Sequence, residues 1–216
     1  MNDSELKKAV EKARESKRKF KQRFDLVISL KGLDLKKPDH QVEFFANIHK
    51  EKGKETKICA LVGPELATNA KNFCDFVILQ QDFEKYQKDK KLSKKLAKDY
   101  DFFIAQANIM PQVATAFGRF LGPKGKMPNP KAGCIVPPSA NLDILTKKLK
   151  KTIKISAKTT PVIQCIVGNE DMSDEDIIDN VKTIFEQLIP HLPNEKYSVK
   201  AVYIKLTMGK PIKLIL

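Results

Sequence analysis

The sequence predicts a mixed protein of two domains, an α+β domain with an antiparallel sheet and an α/β domain inserted into it. In the middle of the chain, short apolar runs alternate with helical patterns, which is typical of a parallel sheet covered on both faces. Both ends show strand patterns joined by short turns, which favour antiparallel pairing. Because the ends share one class around a different middle, we predict a discontinuous first domain of residues 1–62 and 154–216 and an inserted second domain of residues 63–153.

The N-terminal segment predicts a basic amphipathic helix followed by two strands. Apolar residues recur at helical spacing over residues 4 to about 19, among seven Lys and Arg residues. Strand patterns follow at residues 24–30 and 42–48, and we expect these two strands to pair antiparallel with each other. Residues 1–37 hold twelve Lys and Arg against six Asp and Glu. These cations form either a nucleic-acid surface or an ordinary solvated face.

From residue 57 onward, the pattern becomes Rossmann-like. The helix predicted at residues 83–98 holds seven Lys, and its aromatic and Leu residues favour core contacts over base stacking. A solvated face and RNA contact are both open for its lysines. Ser139 is the expected N-cap of a last helix that runs to Leu149. The other predicted elements are strands at residues 58–62, 76–79 and 102–105 and helices at residues 65–72 and 108–121.

The C-terminal segment returns to antiparallel patterns. Residues 153–155 and 162–167 predict a hairpin around the turn Lys158-Thr159-Thr160-Pro161. Five acidic residues then surround the start of a helix, and the capping-box spacing of Ser173 and Asp176 explains them without a metal. The remaining predicted strands are residues 199–206 and 212–216.

The overall charge of the chain indicates the class of its partner. The 216 residues have a net charge of +14 and a pI near 9.5, with 42% hydrophobic residues. Such an excess of cations repels itself unless a polyanion is bound, so nucleic acid is the first expectation and an anionic membrane surface the second. Because the chain has neither a membrane-spanning apolar run nor an apolar signal core near its start, we expect a cytoplasmic protein.

The cysteines and histidines do not predict chemistry. The four Cys are scattered, with no Cys-x-x-Cys pair and no His at ligand spacing beside them. No His lies in a nucleophile motif. We therefore expect reduced thiols, no metal, no cofactor and no catalytic residues.

Residues 118–133 form the most unusual segment of the chain, with four Gly, three Pro and four cations. Gly and Pro both disfavour continuous helix or strand, so we expect a shaped loop. It does not match a phosphate-binding P-loop, because Phe120 stands where a Gly is required and Met127 replaces the Ser or Thr that binds magnesium. A rigid surface connection is the alternative to a binding loop. Its cations are Arg119, Lys124, Lys126 and Lys131.

The loop of residues 118–133 resembles the signature of the ribosomal protein L1 family, the stalk proteins of the large ribosomal subunit. The segment Leu206-Thr207-Met208-Gly209 resembles that family's RNA-contacting turn, and the order of the remaining elements fits over nearly the whole chain, at the length of archaeal members. The resemblance implies a free monomer that binds large-subunit rRNA in the ribosome and is not an enzyme. It also implies assistance in releasing deacylated tRNA from the exit site, and repression of translation by binding to its own mRNA.

The resemblance also implies which residues contact RNA. Phe20 matches the family's RNA-facing aromatic residue, and the turn of residues 207–209 lies opposite it. The open alternatives are a core position for Phe20 in the first strand and a simple hairpin turn for Gly209. The candidate RNA-binding residues are Arg18, Lys19, Phe20, Lys21, Arg23, Lys36, Lys37, Lys158, Thr160, Lys205, Thr207, Met208 and Gly209, with the four cations of residues 118–133 as a secondary basic loop.

Two other functions stay open at this point. A nucleotide-dependent α/β enzyme would need a phosphate cradle after the first strand of the middle segment, where the sequence has Gly63 followed by Pro64 and Glu65. A non-ribosomal RNA-binding repressor could use the same RNA surface. The sequence departs from the family pattern at Ala201, Lys210 and residues 48–54.

Overall fold

The computed structural model describes residues 3–16 and 18–214, with Asp39 described by its backbone alone. They form two compact units, one of Met1–Glu55 with Lys151–Leu216 and one of Thr56–Lys150. Some predicted elements extend beyond the described residues. These are residues 1 and 2 of the predicted first domain, Lys17 of the predicted first helix and residues 215 and 216 of the predicted final strand. In chain order the elements are α1 (Asp3–Arg14), β1 (Arg23–Leu30), β2 (Val42–Asn47), β3 (Ile58–Val62), α2 (Ala67–Phe73), β4 (Phe76–Leu79), α3 (Phe83–Lys88), α4 (Lys90–Asp99), β5 (Phe102–Gln106), α5 (Met110–Leu121), β6 (Ile135–Val136), α6 (Leu142–Lys150), β7 (Thr152–Ala157), β8 (Val162–Asn169), α7 (Asp174–Leu188), β9 (Val199–Leu206) and β10 (Ile212–Leu214).

The first unit is built on an antiparallel sheet in the order β10-β9-β1-β8, beside a two-stranded ribbon of β2 and β7. Burial alternates along β1, where Phe24, Leu26, Ile28 and Leu30 point into the core. The helices α1 and α7 pack against this sheet and against each other. One face of the sheet is therefore buried and the other is partly open, as expected of an antiparallel sheet.

The second unit is built on a parallel sheet in the order β4-β3-β5-β6. Every residue of β3 is buried, as expected of a central parallel strand. The helices α2 and α6 pack together, and α3, α4 and α5 form a second group. Right-handed crossovers from β3 to β4 and from β4 to β5 run in opposite directions along the sheet, so the two groups cover opposite faces. The predicted fold class, α+β with an inserted α/β part, is confirmed.

Two predicted strand pairings are wrong. The strand β1 pairs with β8 and β9, and β2 pairs with β7, so residues 24–30 and 42–48 do not pair with each other. The connection of residues 31–41 is longer than the two to five residues that fix a tight hairpin, so burial of the apolar face decides the partners of β1. The predicted hairpin of residues 153–155 with 162–167 is also absent from the described ladders, since β7 pairs with β2.

The predicted domain boundaries differ from the unit boundaries. The prediction assigned residues 58–62 to the first domain, but β3 is the strand between β4 and β5 and belongs to the second unit. The return boundary lies between residues 150 and 151, slightly before the predicted residue 154. A fully buried apolar strand has the same sequence pattern in a parallel and in an antiparallel sheet. The pattern of residues 58–62 therefore did not indicate the domain to which this strand belongs.

Three predicted helix ends also change. The first helix ends at Arg14 instead of near residue 19. The predicted helix of residues 83–98 is split at Asp89, whose extended backbone and carboxylate cap a new helix by accepting hydrogen bonds from the N–H groups of Lys91 and Leu92. The helix expected after Ser139 begins at Leu142, and the Asn141 side chain accepts a hydrogen bond from the N–H of Asp143. Short polar side chains decide the last two of these helix starts, and the apolar periodicity of the sequence does not reveal them.

Candidate functional site

The segment before β1 and the segment after β9 meet at the shared end of these two inner strands of the antiparallel sheet. In the β1–β9 ladder, Phe24 pairs with Leu206, so the residues before β1 lie beside the residues after β9. The N–H of Thr207 donates to the carbonyl oxygen of Arg23 at 3.0 Å and extends this contact by one residue. We call residues 18–23, Lys205 and residues 207–209 the recognition patch.

The most exposed apolar side chains of the patch are Phe20 and Met208. Phe20 is 54% exposed and Met208 61% exposed. Phe20 lies before β1, which begins at Arg23, so the alternative of a core position in that strand is wrong. Single exposed apolar residues are common, but an exposed aromatic ring and a thioether among cations suit stacking on a base or packing on a ribose.

Four cations surround these two side chains on residues 18–23. Arg18, Lys19, Lys21 and Arg23 are all exposed. Lys21 donates to Asp171 at 2.9 Å, and this hydrogen bond raises the pKa of the Lys21 ammonium. Within the described part of the chain, Arg18, Lys19 and Arg23 form no ion pair with an acidic side chain. These three cations are therefore the ones most available to phosphate.

The buried side chain of Gln22 holds the patch together, and the sequence analysis missed it. Only 1% of Gln22 is exposed. Its amide nitrogen donates to the carbonyl oxygen of Ser16 at 2.8 Å and to the carboxylate of Glu170 at 3.2 Å, and its amide oxygen accepts from the N–H of Met208 at 3.1 Å. A lone Gln in a basic run gives no sequence signal of burial, because Gln is usually exposed.

Arg14 stabilises the same region instead of facing a ligand. Its guanidinium donates to the Asp174 carboxylate at 2.7 Å and to the carbonyl oxygens of Glu170 and Met172 at 2.7 and 2.6 Å. It also lies 5.2 Å from the ring centroid of Phe24, within cation–π range. These contacts join the end of α1 to the start of α7, so Arg14 is not available to phosphate.

Thr207 and Gly209 have structural partners of their own. The Thr207 hydroxyl accepts a hydrogen bond from the N–H of Arg23 and donates one to the carbonyl oxygen of Arg23. Both hydrogen bonds are long, at 3.3 Å. The N–H of Gly209 donates to Leu206 at 2.9 Å, closing the turn between β9 and β10. A Cβ at Gly209 would lie 3.3 Å from the Cβ of Ser16, so a side chain there would press on the segment after α1. These contacts agree with the alternative role of Gly209 as a residue of a simple hairpin turn.

The remaining candidates of the first unit divide between two places. Lys205 lies on β9 opposite Asp25, next to the turn of residues 207–209. Burial raises the pKa of Asp25, while Lys205 and Arg23 act to lower it. Lys36, Lys37, Lys158 and Thr160 are exposed but lie beyond the other end of β1, about 20 Å along the strand. Lys158 also forms an ion pair with Glu43 at 2.6 Å.

The secondary basic loop of residues 118–133 is a shaped connection in the second unit. Gly125 and Gly133 adopt positive φ angles of 61° and 73°, where other residues are strained. Lys126 is half-buried and donates to the carbonyl oxygens of Ala97 and Tyr100 at 3.0 and 2.6 Å, so it caps the C-terminus of α4. The other three cations, Arg119, Lys124 and Lys131, are exposed.

Replacing Lys126 by alanine should lower the free energy of unfolding by about 1.5–3 kcal/mol, because two charge-assisted hydrogen bonds to the end of α4 are lost. Urea denaturation measures the change. Lys124→Ala removes an exposed cation from the same loop and should change stability by less than about 0.5 kcal/mol. Equal effects of the two substitutions would contradict the capping role of Lys126.

The second unit does not offer the phosphate cradle that a nucleotide-dependent enzyme needs. In α/β proteins, phosphate binds at the C-terminal ends of the parallel strands. Here the N–H of Gly63 donates to the side chain of buried Gln106 at 3.0 Å, and that side chain donates to the Glu65 carboxylate at 3.1 Å. The amide and the acid occupy the position that a phosphate would require.

The described residues also lack a reactive thiol among the buried cysteines, a metal cluster and a membrane-spanning helix. Burial raises the pKa of the Cys165 thiol to about 12 and that of Cys134 to about 11, so neither is a thiolate at neutral pH. Residues 3–16 and 18–214 contain no cluster of three side chains arranged to hold a metal ion. In the same ranges, no helix combines the length and apolar character needed to cross a lipid bilayer.

Comparison with known proteins matches nearly the whole chain. A family model described as "Ribosomal protein L1p/L10e family" matches residues 8–210. The protein "Large ribosomal subunit protein uL1" of Methanothermococcus thermolithotrophicus is 40% identical over 216 residues, covering 99% of each chain. The proteins of the same name from Nanoarchaeum equitans and Methanocaldococcus jannaschii are 40% and 38% identical, covering 95% and 99% of this chain and 97% and 96% of theirs.

Proposed function

The chain belongs to the ribosomal protein L1p/L10e family, and from this premise we propose that it is an RNA-binding structural protein of the large ribosomal subunit and not an enzyme. Its main RNA-binding domain is the first unit, and its ligand is the stalk region of large-subunit rRNA. The protein acts in the cytoplasm as part of the ribosome and is a monomer when free.

One observation supports this function above the others, namely that the β1–β9 register brings residues 18–23 and 205–209 together in the recognition patch. Phe20 and Met208 offer apolar surface, while Arg18, Lys19 and Arg23 offer unpaired charge beside them. Cations that neutralise phosphates provide sequence-independent affinity, and a small surface of exposed backbone and rings recognises an RNA shape. The buried Gln22 network holds the two segments in place before RNA binds, which lowers the entropic cost of binding.

Two finer roles are part of the proposal. The protein assists the release of deacylated tRNA from the exit site, and it represses translation by binding a similar structure in its own mRNA. Both are supported by the family and by the charge of the patch. A repressor needs no residues beyond those that bind rRNA, because one surface can accept two RNAs of similar shape. A non-ribosomal RNA-binding repressor is the alternative, and sedimentation with large subunits after a high-salt wash separates the two.

The salt dependence of binding to a stalk-like RNA fragment tests the proposed function. If Arg18, Lys19, Arg23 and Lys205 each neutralise one phosphate, log K should fall with log salt at a slope of roughly −3.6. Lys19→Gln should reduce this slope by about 0.9. Lys21→Gln should reduce it by less, because Lys21 must first leave Asp171.

The Lys19→Gln and Lys21→Gln variants remove the same charge at positions two residues apart in the sequence. Each variant is therefore the control for the other. Filter binding across a potassium chloride series measures both. An affinity that does not depend on salt would refute phosphate binding by the patch. Equal slopes for the two variants would show that the Lys21–Asp171 pair does not matter.

A further inference from the structure

The helix α4 presents five lysines on one face. Lys90, Lys91, Lys94, Lys95 and Lys98 are all exposed, and we call them the lysine stripe. At 3.6 residues per turn, they fall within an arc of about 140°. The opposite face of α4 is buried through Ser93, Leu96 and Ala97. The stripe is therefore one continuous surface and not a scatter of charges around the helix.

Asp99, the acidic residue within α4, lies four residues after Lys95 but forms no ion pair with a stripe lysine in the described fold. The carboxylate of Asp89 caps the start of α4, and the ion pairs of Lys85 with Asp82 and of Lys88 with Glu84 belong to α3. In the described residues, no stripe lysine forms an ion pair. Lysines three or four residues apart on a helix repel each other, so the stripe destabilises α4. The repulsion would be relieved by an external polyanion.

The second unit, to which the sequence analysis assigns only the secondary basic loop, carries a large share of the net charge. Residues 56–150 contain sixteen Lys and Arg against eight Asp and Glu, so they hold +8 of the total of +14. The lysine stripe supplies five of these cations. A charge excess of this size on a single unit is the electrostatic footprint of nucleic-acid binding.

The dimensions of the stripe match a nucleic-acid strand. From Lys90 to Lys98 the helix rises about 12 Å. A strand presents a phosphate about every 3.4 Å along the axis in B-form DNA and at a somewhat closer spacing in A-form RNA, so the stripe spans roughly four phosphates. The only large apolar side chain exposed on α4 is Leu92, and protein interfaces generally need a buried apolar centre. These features favour a phosphate backbone over an acidic polypeptide.

We propose that the lysine stripe of α4 is a second RNA contact, which binds the phosphate backbone of one strand independently of sequence. The proposal rests on the proposed function in one respect, that the polyanion is RNA. Lysine ammonium groups bind phosphates as point charges and do not read bases here, so the stripe adds affinity and salt dependence without specificity. The exposed Lys124 is two residues from Lys126, whose ammonium bonds to the C-terminal end of α4.

The test compares two triple variants of the full-length protein. Lys90→Gln/Lys94→Gln/Lys98→Gln removes one line of the stripe. Lys71→Gln/Lys147→Gln/Lys150→Gln removes the same charge from α2 and α6, on the other face of the parallel sheet. Affinity is measured across a potassium chloride series for a stalk-like RNA fragment extended by a plain duplex arm. The stripe variant should lower the salt slope by about 2–3 units, and the control variant by less than about one unit.

The outcomes separate the proposal from its rivals. Equal losses in the two triple variants would mean that only net charge matters, and no loss in the stripe variant would mean that the stripe does not touch RNA. Either result overturns the proposal. A competition experiment gives a third outcome: if polyglutamate displaces the bound RNA as effectively as a competing duplex RNA does, the proposal is also overturned. The two proposals are tested separately. If the stripe variant lowers the salt slope but the Lys19→Gln variant does not, RNA binding by the lysine stripe is supported and RNA binding by the recognition patch is refuted.

Folding is checked by circular dichroism on the same variants. Glutamine has nearly the same helix propensity as lysine, and the substitution removes like-charge neighbours. The melting temperature of the stripe variant should therefore be equal to or higher than that of the wild type. A lower melting temperature would contradict the inferred repulsion within α4.

Discussion

Replacing Gln22 by leucine is expected to lower the free energy of unfolding by about 2–4 kcal/mol, because several buried polar groups lose their partner together. Leucine has a similar volume but cannot bond to the carbonyl oxygen of Ser16, the N–H of Met208 or the carboxylate of Glu170. The site is almost closed to water, which therefore cannot replace the lost bonds. Urea denaturation of the full-length protein measures the loss.

The same variant should bind stalk-like RNA more weakly, since the turn of residues 207–209 is no longer fixed to the segment before β1. Gln164→Leu is the matched control, because Gln164 is exposed on β8 and lies outside the patch. It should change stability by less than about 0.5 kcal/mol. If Gln22→Leu is as stable as the control variant, the buried amide does not organise the patch.

Replacing Phe20 by alanine should weaken RNA binding by roughly 5–150-fold, which corresponds to about 1–3 kcal/mol for a ring that stacks on a base or ribose. The effect should appear in the dissociation rate. The salt slope should stay unchanged because no charge is removed. Stability should change little, since the ring is more than half exposed in the free protein. Binding kinetics across a salt series provide the measurement.

Tyr197→Ala is the control for this substitution. Tyr197 is 84% exposed and precedes β9, at the end of that strand opposite Thr207. It should bind RNA like the wild type. Measuring both variants on a stalk fragment and on the leader of the protein's own mRNA tests whether one patch serves both RNAs. Wild-type binding by folded Phe20→Ala protein would refute the assignment of Phe20 to the interface.

Much of the fold was predictable because it follows from periodicity. The parallel strands β3, β4 and β5 and the helix α5 lie where apolar runs and helical spacing put them. At the helix break within residues 83–98, the signal that the sequence pattern missed was local and polar. Asp89 splits one predicted helix into α3 and α4 by bonding to backbone N–H groups, and the apolar pattern on either side of it continues across the break.

The sequence proposes candidate residues but does not reveal the partners of their side chains. Motif resemblance pointed to Phe20 and to residues 207–209, and these segments do meet through the β1–β9 ladder. The same reasoning grouped Lys126 with three exposed cations, although its ammonium caps α4. It also could not separate Lys21, which pairs with Asp171, from Lys19. Charge is visible in a sequence, but the partner of a charge is not.

The two-part class of the fold, the excess of positive charge and the segments that resemble an RNA-contacting surface are readable from the sequence, because composition, periodicity and motif spacing are local properties of a chain. The pairing of the strands, the internal use of particular cations and the burial of Gln22 between the segment after α1 and the turn after β9 become visible in the folded protein. Most of these outcomes depend on contacts between residues far apart in the chain, such as Gln22 with Glu170 and with Met208, which are 148 and 186 positions apart. Burial and partner choice at such separations are set by packing of the whole unit, which no local pattern encodes.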